Sequence, residues 1–351
     1  MKQVSEAPER RASTSGPGAP VPSRGFRRTA VATVVAVYLL IVAGGVVRVS
    51  GSGLGCGVTG QDWPFCHGGL VPPPDMQTLI EFSHRMLATI STVLVVLLTI
   101  WAWARYRHLR RVTTATSVVV GLLIVQIVLG GITVELKLPG GIVLAHLANA
   151  LLLLGVLIAA AVAIFAPGAR GESTPALTDR QRRAARQMAW AAAATYALVL
   201  TGGLVVANGA GYACNGWPLC GNGFQLDSSH LATLNEFHRF VAGAVGLFLG
   251  WSVARVMVAF RGTRAVRVAA MAVNVVLLLQ IVAGAVLVDT RLPAPARGAH
   301  QALASLLWAT AALLALLTRE GAVRIGGVHR DDEDGGRRVA AVTPRREAVP
   351  S

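Results

Sequence analysis

The stretch LIEFSHRML, residues 79–87, sets Glu81, His84 and Arg85 within five positions of an otherwise apolar run. At relative positions 0, +3 and +4 they share one helical face. A carboxylate there can move protons, an imidazole can bind a metal, and a guanidinium can hold an anion. Ionisable groups are costly in hydrocarbon, so three together mark a functional site.

Parts of this set recur. His84-Arg85 returns as His238-Arg239, His146 as His300, WPFC at 63–66 as WPLC at 217–220, and QIVLGGITVELKLP at 126–139 as QIVAGAVLVDTRLP at 280–293, all displaced by 154 residues. The GG pair at 44–45 and 202–203, with Cys56 and Cys214, is displaced by 158, so the first loop carries four extra residues between its first Cys and WP. The chain is an internal duplication.

Four of the eight histidines survive the repeat, and His67, His108, His230 and His329 do not. His84 lies about six residues, and His146 about five, inside the outer ends of their apolar runs, which is roughly 8–9 Å below the boundary. His238 and His300 have a similar arrangement. Two histidines at matched depth on two helices of a bundle can clamp a planar cofactor from both faces, and bis-histidine haem is the obvious one. The bland alternative has each histidine satisfying an interhelical hydrogen bond. The two-by-two duplication favours ligation.

The two copies differ beside the first ligand. Glu81 lies three residues before His84, whereas Asn235 lies three before His238; Glu236, two before it, is turned about 160° away. One copy therefore has a carboxylate on the ligand face and the other does not. Glu81 as a structural ion pair, with Arg48 as partner, is the competing account. Arg85 and Arg239 could each meet a haem propionate or snorkel to the interface. Gln126 and Gln280 fit interhelical hydrogen bonds better than ligand contact.

The elements that must position these residues follow from hydropathy. The 351-residue chain is 54% hydrophobic and 14% charged, the balance of a polytopic membrane protein rather than an aqueous globule. Eight apolar runs can each span about 30 Å of hydrocarbon: 29–49, 79–103, 113–134, 141–165, 188–208, 231–258, 266–289 and 297–318. All but six of the 32 Lys and Arg (Arg48, Arg85, Lys137, Arg239, Arg291 and Arg297) lie in the two tails, in the connections after the second, fourth and sixth runs, or, for Arg255 and Arg267, in the run ends that flank the last of these. The positive-inside rule then places both termini in the cytoplasm of a multi-pass cell-membrane protein. The net charge of +15 thus reports topology and not nucleic-acid binding.

The expected fold is all-α: eight transmembrane helices as two tandem four-helix bundles, related by a pseudo-two-fold axis along the membrane normal. The expected divisions are a disordered cytoplasmic tail at 1–28, a first half at 29–165, a basic linker at 166–187, a second half at 188–318 and a disordered tail at 319–351. All four cysteines, Cys56, Cys66, Cys214 and Cys220, fall two by two in the outer loops, where a disulfide can persist. Their distribution favours pairing within each loop, and C-x9-C and C-x5-C lack the tight C-x2-C spacing of structural zinc sites.

RVSGSGLGC leaving the first span, WPFC and WPLC, the E-x-x-H-R of EFSHR and the four histidines, in this order across all eight spans, resemble the haem A synthase family. The resemblance implies oxidation of the C8 methyl of haem O to the formyl group of haem A, by successive oxygen-dependent hydroxylations, for cytochrome oxidase biogenesis. It places Glu81 as the catalytic carboxylate, His84 and His146 as ligands of the substrate haem, and His238 and His300 as ligands of a resident haem b. Cys56 and Cys66 take the position of the family's first-loop pair, here with a longer spacing than is usual. Implied partners are the haem O synthase that supplies the substrate and cytochrome oxidase assembly factors; the spans require membrane lipid, and the sequence leaves a homo-oligomer open. A dihaem electron-transfer protein of the quinol oxidoreductase kind would use the same four ligands without altering either haem, and a haem transporter would hold haem by weak, exchangeable ligation with no need for Glu81.

Overall fold

The computed structural model describes residues 20–57, 66–69, 71–170, 176–214, 216–220 and 229–320. Each expected apolar run forms one helix: α1 (Arg24–Val49), α2 (Met76–Arg105), α3 (Arg110–Glu135), α4 (Gly140–Phe165), α5 (Asp179–Ala207), α6 (His230–Ala259), α7 (Arg264–Asp289) and α8 (Ala294–Glu320). All eight are long and apolar enough to cross a membrane, and the chain is an all-α multi-pass membrane protein.

Several helices begin before the apolar residues do, because caps and not hydropathy set their first turns. Ser23 accepts from the Phe26 amide at 3.2 Å, so α1 starts at Arg24, within the stretch expected as tail. Residues 1–19 and 321–351 of the expected tails lie outside the described residues. At α5 a reciprocal capping box between Thr178 and Gln181 carries helix through Arg180–Arg186, residues expected to be linker. The connection from α4 is correspondingly shorter, opening with a 3-10 turn at Pro167–Arg170.

Within each set of four helices, consecutive helices pack and the first closes on the last, α1 on α4 and α5 on α8. Helices α2 and α4, and likewise α6 and α8, therefore stand at opposite corners. The two sets meet through α4–α8, α1–α8 and α4–α5. Half of the apolar window of α4 and 44% of that of α8 are buried against protein, compared with 6% for α3 and 11% for α7. The first two helices form the centre of the molecule, and the other two present Ile124, Val128, Leu278 and Val282 to lipid.

The central contact is reciprocal. Tyr38 on α1 donates its hydroxyl to the Ala302 carbonyl on α8, and Tyr196 on α5 donates to the Ala148 carbonyl on α4, at 3.2 and 3.1 Å. The second glycine of each GG pair admits the opposing helix. A Cβ on Gly45 would meet Gln301 of α8, and one on Gly203 would meet Leu144 of α4. The turns after α3 and α7 also match. Lys137 and Leu138, and Arg291 and Leu292, have φ between 58° and 64°, a strained region for these residues. Packing retains them there: Leu138 lies where a Cβ on Gly53 would fall, and Leu292 where one on Gly211 would.

Candidate functional site

The four repeated histidines lie one each on α2, α4, α6 and α8, the two corner pairs of the two bundles. Each imidazole rests against a glycine of the preceding helix. A Cβ there would come within 3.2 Å of His84 Cε1 at Gly44, 3.3 Å of His146 at Gly130, 3.0 Å of His238 at Gly202 and 3.3 Å of His300 at Gly284. These distances are tighter than ordinary van der Waals contact, so only glycine leaves the ring in place. The glycines are visible in the sequence as GG and as QIVLGG against QIVAGA, but as repeat markers; their task depends on which helix faces which.

A second layer differs between the copies. Thr201 Oγ1 lies 2.8 Å from His238 Nδ1 and also 2.8 Å from the Leu198 carbonyl. At the aligned position of the first copy stands Ala43, and His84 Nδ1 is buried with no hydrogen-bond partner among the described residues. On the other corner, Gln126 Nε2 meets His146 Nε2 at 3.0 Å, and Asn149 Nδ2 clamps Gln126 Oε1 at 2.7 Å. In the second copy Gln280 meets His300 Nε2 at 3.3 Å, Leu303 replaces the asparagine, and Gln280 Oε1 is left without a partner among the described residues. Both glutamines make the interhelical contacts expected, and they make them to the candidate ligands.

Glu81 is built into the outer end of α2. Asp75 caps the Thr78 amide, and hydrogen bonding to Thr78 holds the exposed Asp75 carboxyl below its ordinary pKa. Thr78 Oγ1 donates to the Gly55 carbonyl at 2.6 Å, and a Cβ on Gly55 would run into the Gln77 backbone at 2.6 Å, so the loop lies directly on the helix. The next residue, Cys56, donates its amide to Glu81 Oε2 at 2.9 Å, while Arg85 Nη2 donates to Oε1 at 2.6 Å. Glu81 is 3% exposed. Its partner is Arg85 on its own helix face and not Arg48.

At the equivalent place in the second copy, a neutral amide stands for the carboxylate and the loop contact is reversed. Arg239 Nε donates to Asn235 Oδ1 at 2.9 Å, as Arg85 does to Glu81, but Asn235 Nδ2 donates outward to the Ala210 carbonyl at 2.8 Å. The loop offers a carbonyl where the first copy offers an amide. Arg239 also donates to the carbonyls of Gly216 and Pro218. Glu236 is buried off the histidine face and lines, with Arg239 and Phe240, a cavity of about 300 Å³.

The cysteines form two disulfides within loops, Cys56–Cys66 and Cys214–Cys220. His67 and His108 lie between helices, His230 opens α6, and His329 lies outside the described residues.

As a test of fit to a haem, the paired corners and the glycine seats suit imidazoles held to bind iron through Nε2, and Thr201 can accept from His238 Nδ1–H; the Nδ1 atoms of His84, His146 and His300 have no partner among the described residues. Thr201, Asn149 and the four glycines were not singled out as functional by residue type.

Residues 27–312 match the family model described as cytochrome oxidase assembly protein. The chain is 29% identical to "Heme A synthase" of Shouchella clausii, covering 76% of this chain and 88% of that relative. It is 26% identical to "Heme A synthase" of Lysinibacillus sphaericus, over 80% and 90%, and 25% identical to that of Geobacillus kaustophilus, over 86% and 95%. With the match running from α1 into α8 and through every histidine of the site, the chain belongs to the cytochrome oxidase assembly protein family.

Proposed function

We propose that this chain oxidises the C8 methyl of haem O to the formyl group of haem A, the activity of a haem A synthase, in support of cytochrome oxidase assembly. The observation that carries the reading is one carboxylate beside one of two otherwise matching histidine pairs: Glu81 in the first, Asn235 in the second. The likeness to the three relatives supports it.

In this reading the two halves, 29–165 and 188–318, hold one haem each. His84 and His146 hold substrate haem O, and His238 and His300 hold a resident haem b. Bound haem supplies the redox and oxygen chemistry. The chain's contribution is position and charge. The glycine seats orient the rings, Glu81 holds or passes a proton at its carboxyl oxygens, and the disulfide loop covers the outer end of α2. Arg85 and Arg239, each one residue beyond a ligand near the outer boundary, are placed to meet propionates. The protein lies in the cell membrane with both termini cytoplasmic, supplied by haem O synthase and serving oxidase assembly factors.

Expression in cells that supply haem O, followed by acid-acetone extraction and chromatography of the pigments, tests the assignment. Haem A dependent on this chain supports it. Only b-type haem, with haem O unaltered, would instead make the protein a dihaem electron carrier.

A further inference from the structure

A threonine hydroxyl has one proton and two lone pairs. Thr201 Oγ1 stands 2.8 Å from the Leu198 carbonyl, which can only accept, and 2.8 Å from His238 Nδ1. Giving the hydroxyl proton to the carbonyl leaves Oγ1 to accept from Nδ1–H, and every atom is then satisfied. That places the ring proton on Nδ1 and the free lone pair on Nε2, the tautomer that binds a metal. The Gly202 seat, the next residue of the same helix, lies against the same ring, with a Cβ there only 3.0 Å from Cε1.

The first copy lacks this support. Ala43 has no hydroxyl, and His84 Nδ1 has no partner among the described residues. At the opposite ligand both copies place a glutamine amide against Nε2, the nitrogen that a metal would need, but the contact is shorter and clamped in the first: Gln126, held by Asn149, donates to His146 Nε2 at 3.0 Å, whereas unclamped Gln280 meets His300 Nε2 at 3.3 Å.

We propose that Thr201 is a positioning residue that makes the second histidine pair a permanent haem site, and that Ala43 in its place leaves the first pair able to exchange its haem. The proposal rests on the reading of His238 as an iron ligand. A hydrogen bond at Nδ1 makes the imidazole a stronger donor and favours ferric iron; partners of this kind are worth about 10–100-fold in metal affinity. Substrate must leave as product, and a ligand without that bond releases it sooner. The resident haem has no such need.

The test uses full-length protein purified with its resident haem, as wild type, Thr201→Val, Thr201→Ser and His238→Ala. Two quantities are measured: the midpoint potential of the haem and its rate of transfer to excess apomyoglobin. Thr201→Val keeps the shape and removes the hydroxyl, so the potential should rise and transfer should quicken by about 10–100-fold. Thr201→Ser restores the hydroxyl and should return both towards wild type. The proposal is overturned if Thr201→Val leaves both unchanged, or if Thr201→Ser is as impaired as Thr201→Val, since a packing defect would then explain the change. Failure of the underlying reading looks different: His238→Ala would keep its low-spin b-type absorbance, and the role of Thr201 would fall with it.

Discussion

The main-chain amide of Cys56 donates to Glu81 Oε2 at 2.9 Å, and Arg85 on the next turn of α2 donates to Oε1 at 2.6 Å. One carboxylate thus joins a disulfide-bonded loop to an arginine one residue beyond a candidate iron ligand. A buried pair of this kind is costly to break from one side.

Replacing Glu81 by Gln keeps the shape and removes the exchangeable proton. An amide can accept from Cys56 or from Arg85 but not through both of its ends, so one hydrogen bond is lost, at about 1–3 kcal/mol. Asn235 shows that a neutral residue supports the same turn and the same arginine. The expected outcome is folded protein with its haem b, haem A production abolished, and haem O or the intermediate alcohol accumulating in extracts. Haem A at the parent rate would make Glu81 structural.

The reverse change, Asn235→Glu, should not create a second active site. It sets a carboxylate against the Ala210 carbonyl that Asn235 Nδ2 now serves at 2.8 Å. Two facing acceptors repel, and the variant should lose thermal stability while gaining no haem A activity; an active variant would show that the carboxylate alone defines the reacting site.

Histidine replacements should divide by pair. His238→Ala or His300→Ala should remove most low-spin b-type absorbance from protein purified without haem O. His84→Ala or His146→Ala should leave that absorbance and abolish binding of added haem O. An identical spectrum from all four variants would contradict the division.

Gly202→Ala adds a methyl 3.0 Å from His238 Cε1, whereas Gly250 on the same helix as His238 has open space around it. The first substitution should displace the ring and lower haem content severalfold, and Gly250→Ala should leave it unaltered. Absorbance per protein, measured on both, decides whether the glycine is a seat.

Asn149→Leu copies the second half, where Leu303 leaves Gln280 unclamped. Freed from the 2.7 Å bond, Gln126 competes less for His146 Nε2. One hydrogen bond of about 1 kcal/mol corresponds to roughly fivefold slower loss of haem O from the first site, read by transfer to apomyoglobin. Faster loss would show that the clamp supports the ligand instead of opposing it.

The spans were legible because about twenty apolar residues in a row have few other fates, and the four histidines because duplication separated them from the rest. The start of α5 was not, since it depends on Thr178 and Gln181 capping one another in a basic segment. Pairing of Glu81 with Arg85 follows from their spacing of four on one helix face, which needs no tertiary information, whereas a pair with Arg48 would. Thr201 and Asn149 were beyond reach: a hydroxyl and an amide in an apolar helix acquire meaning only when the facing ring is known.

The crossed tyrosine bonds, Tyr38 to α8 and Tyr196 to α4, have the form of the contact two identical subunits make about a two-fold axis. In a homodimer every mutation appears twice, so a glutamate gained beside one ligand is gained beside both. Joining the copies on one chain removes that constraint on inheritance. Glu81 against Asn235 and Ala43 against Thr201 are differences that a homodimer could not hold on one side alone, and on the proposed reading they let one copy specialise while the other does not.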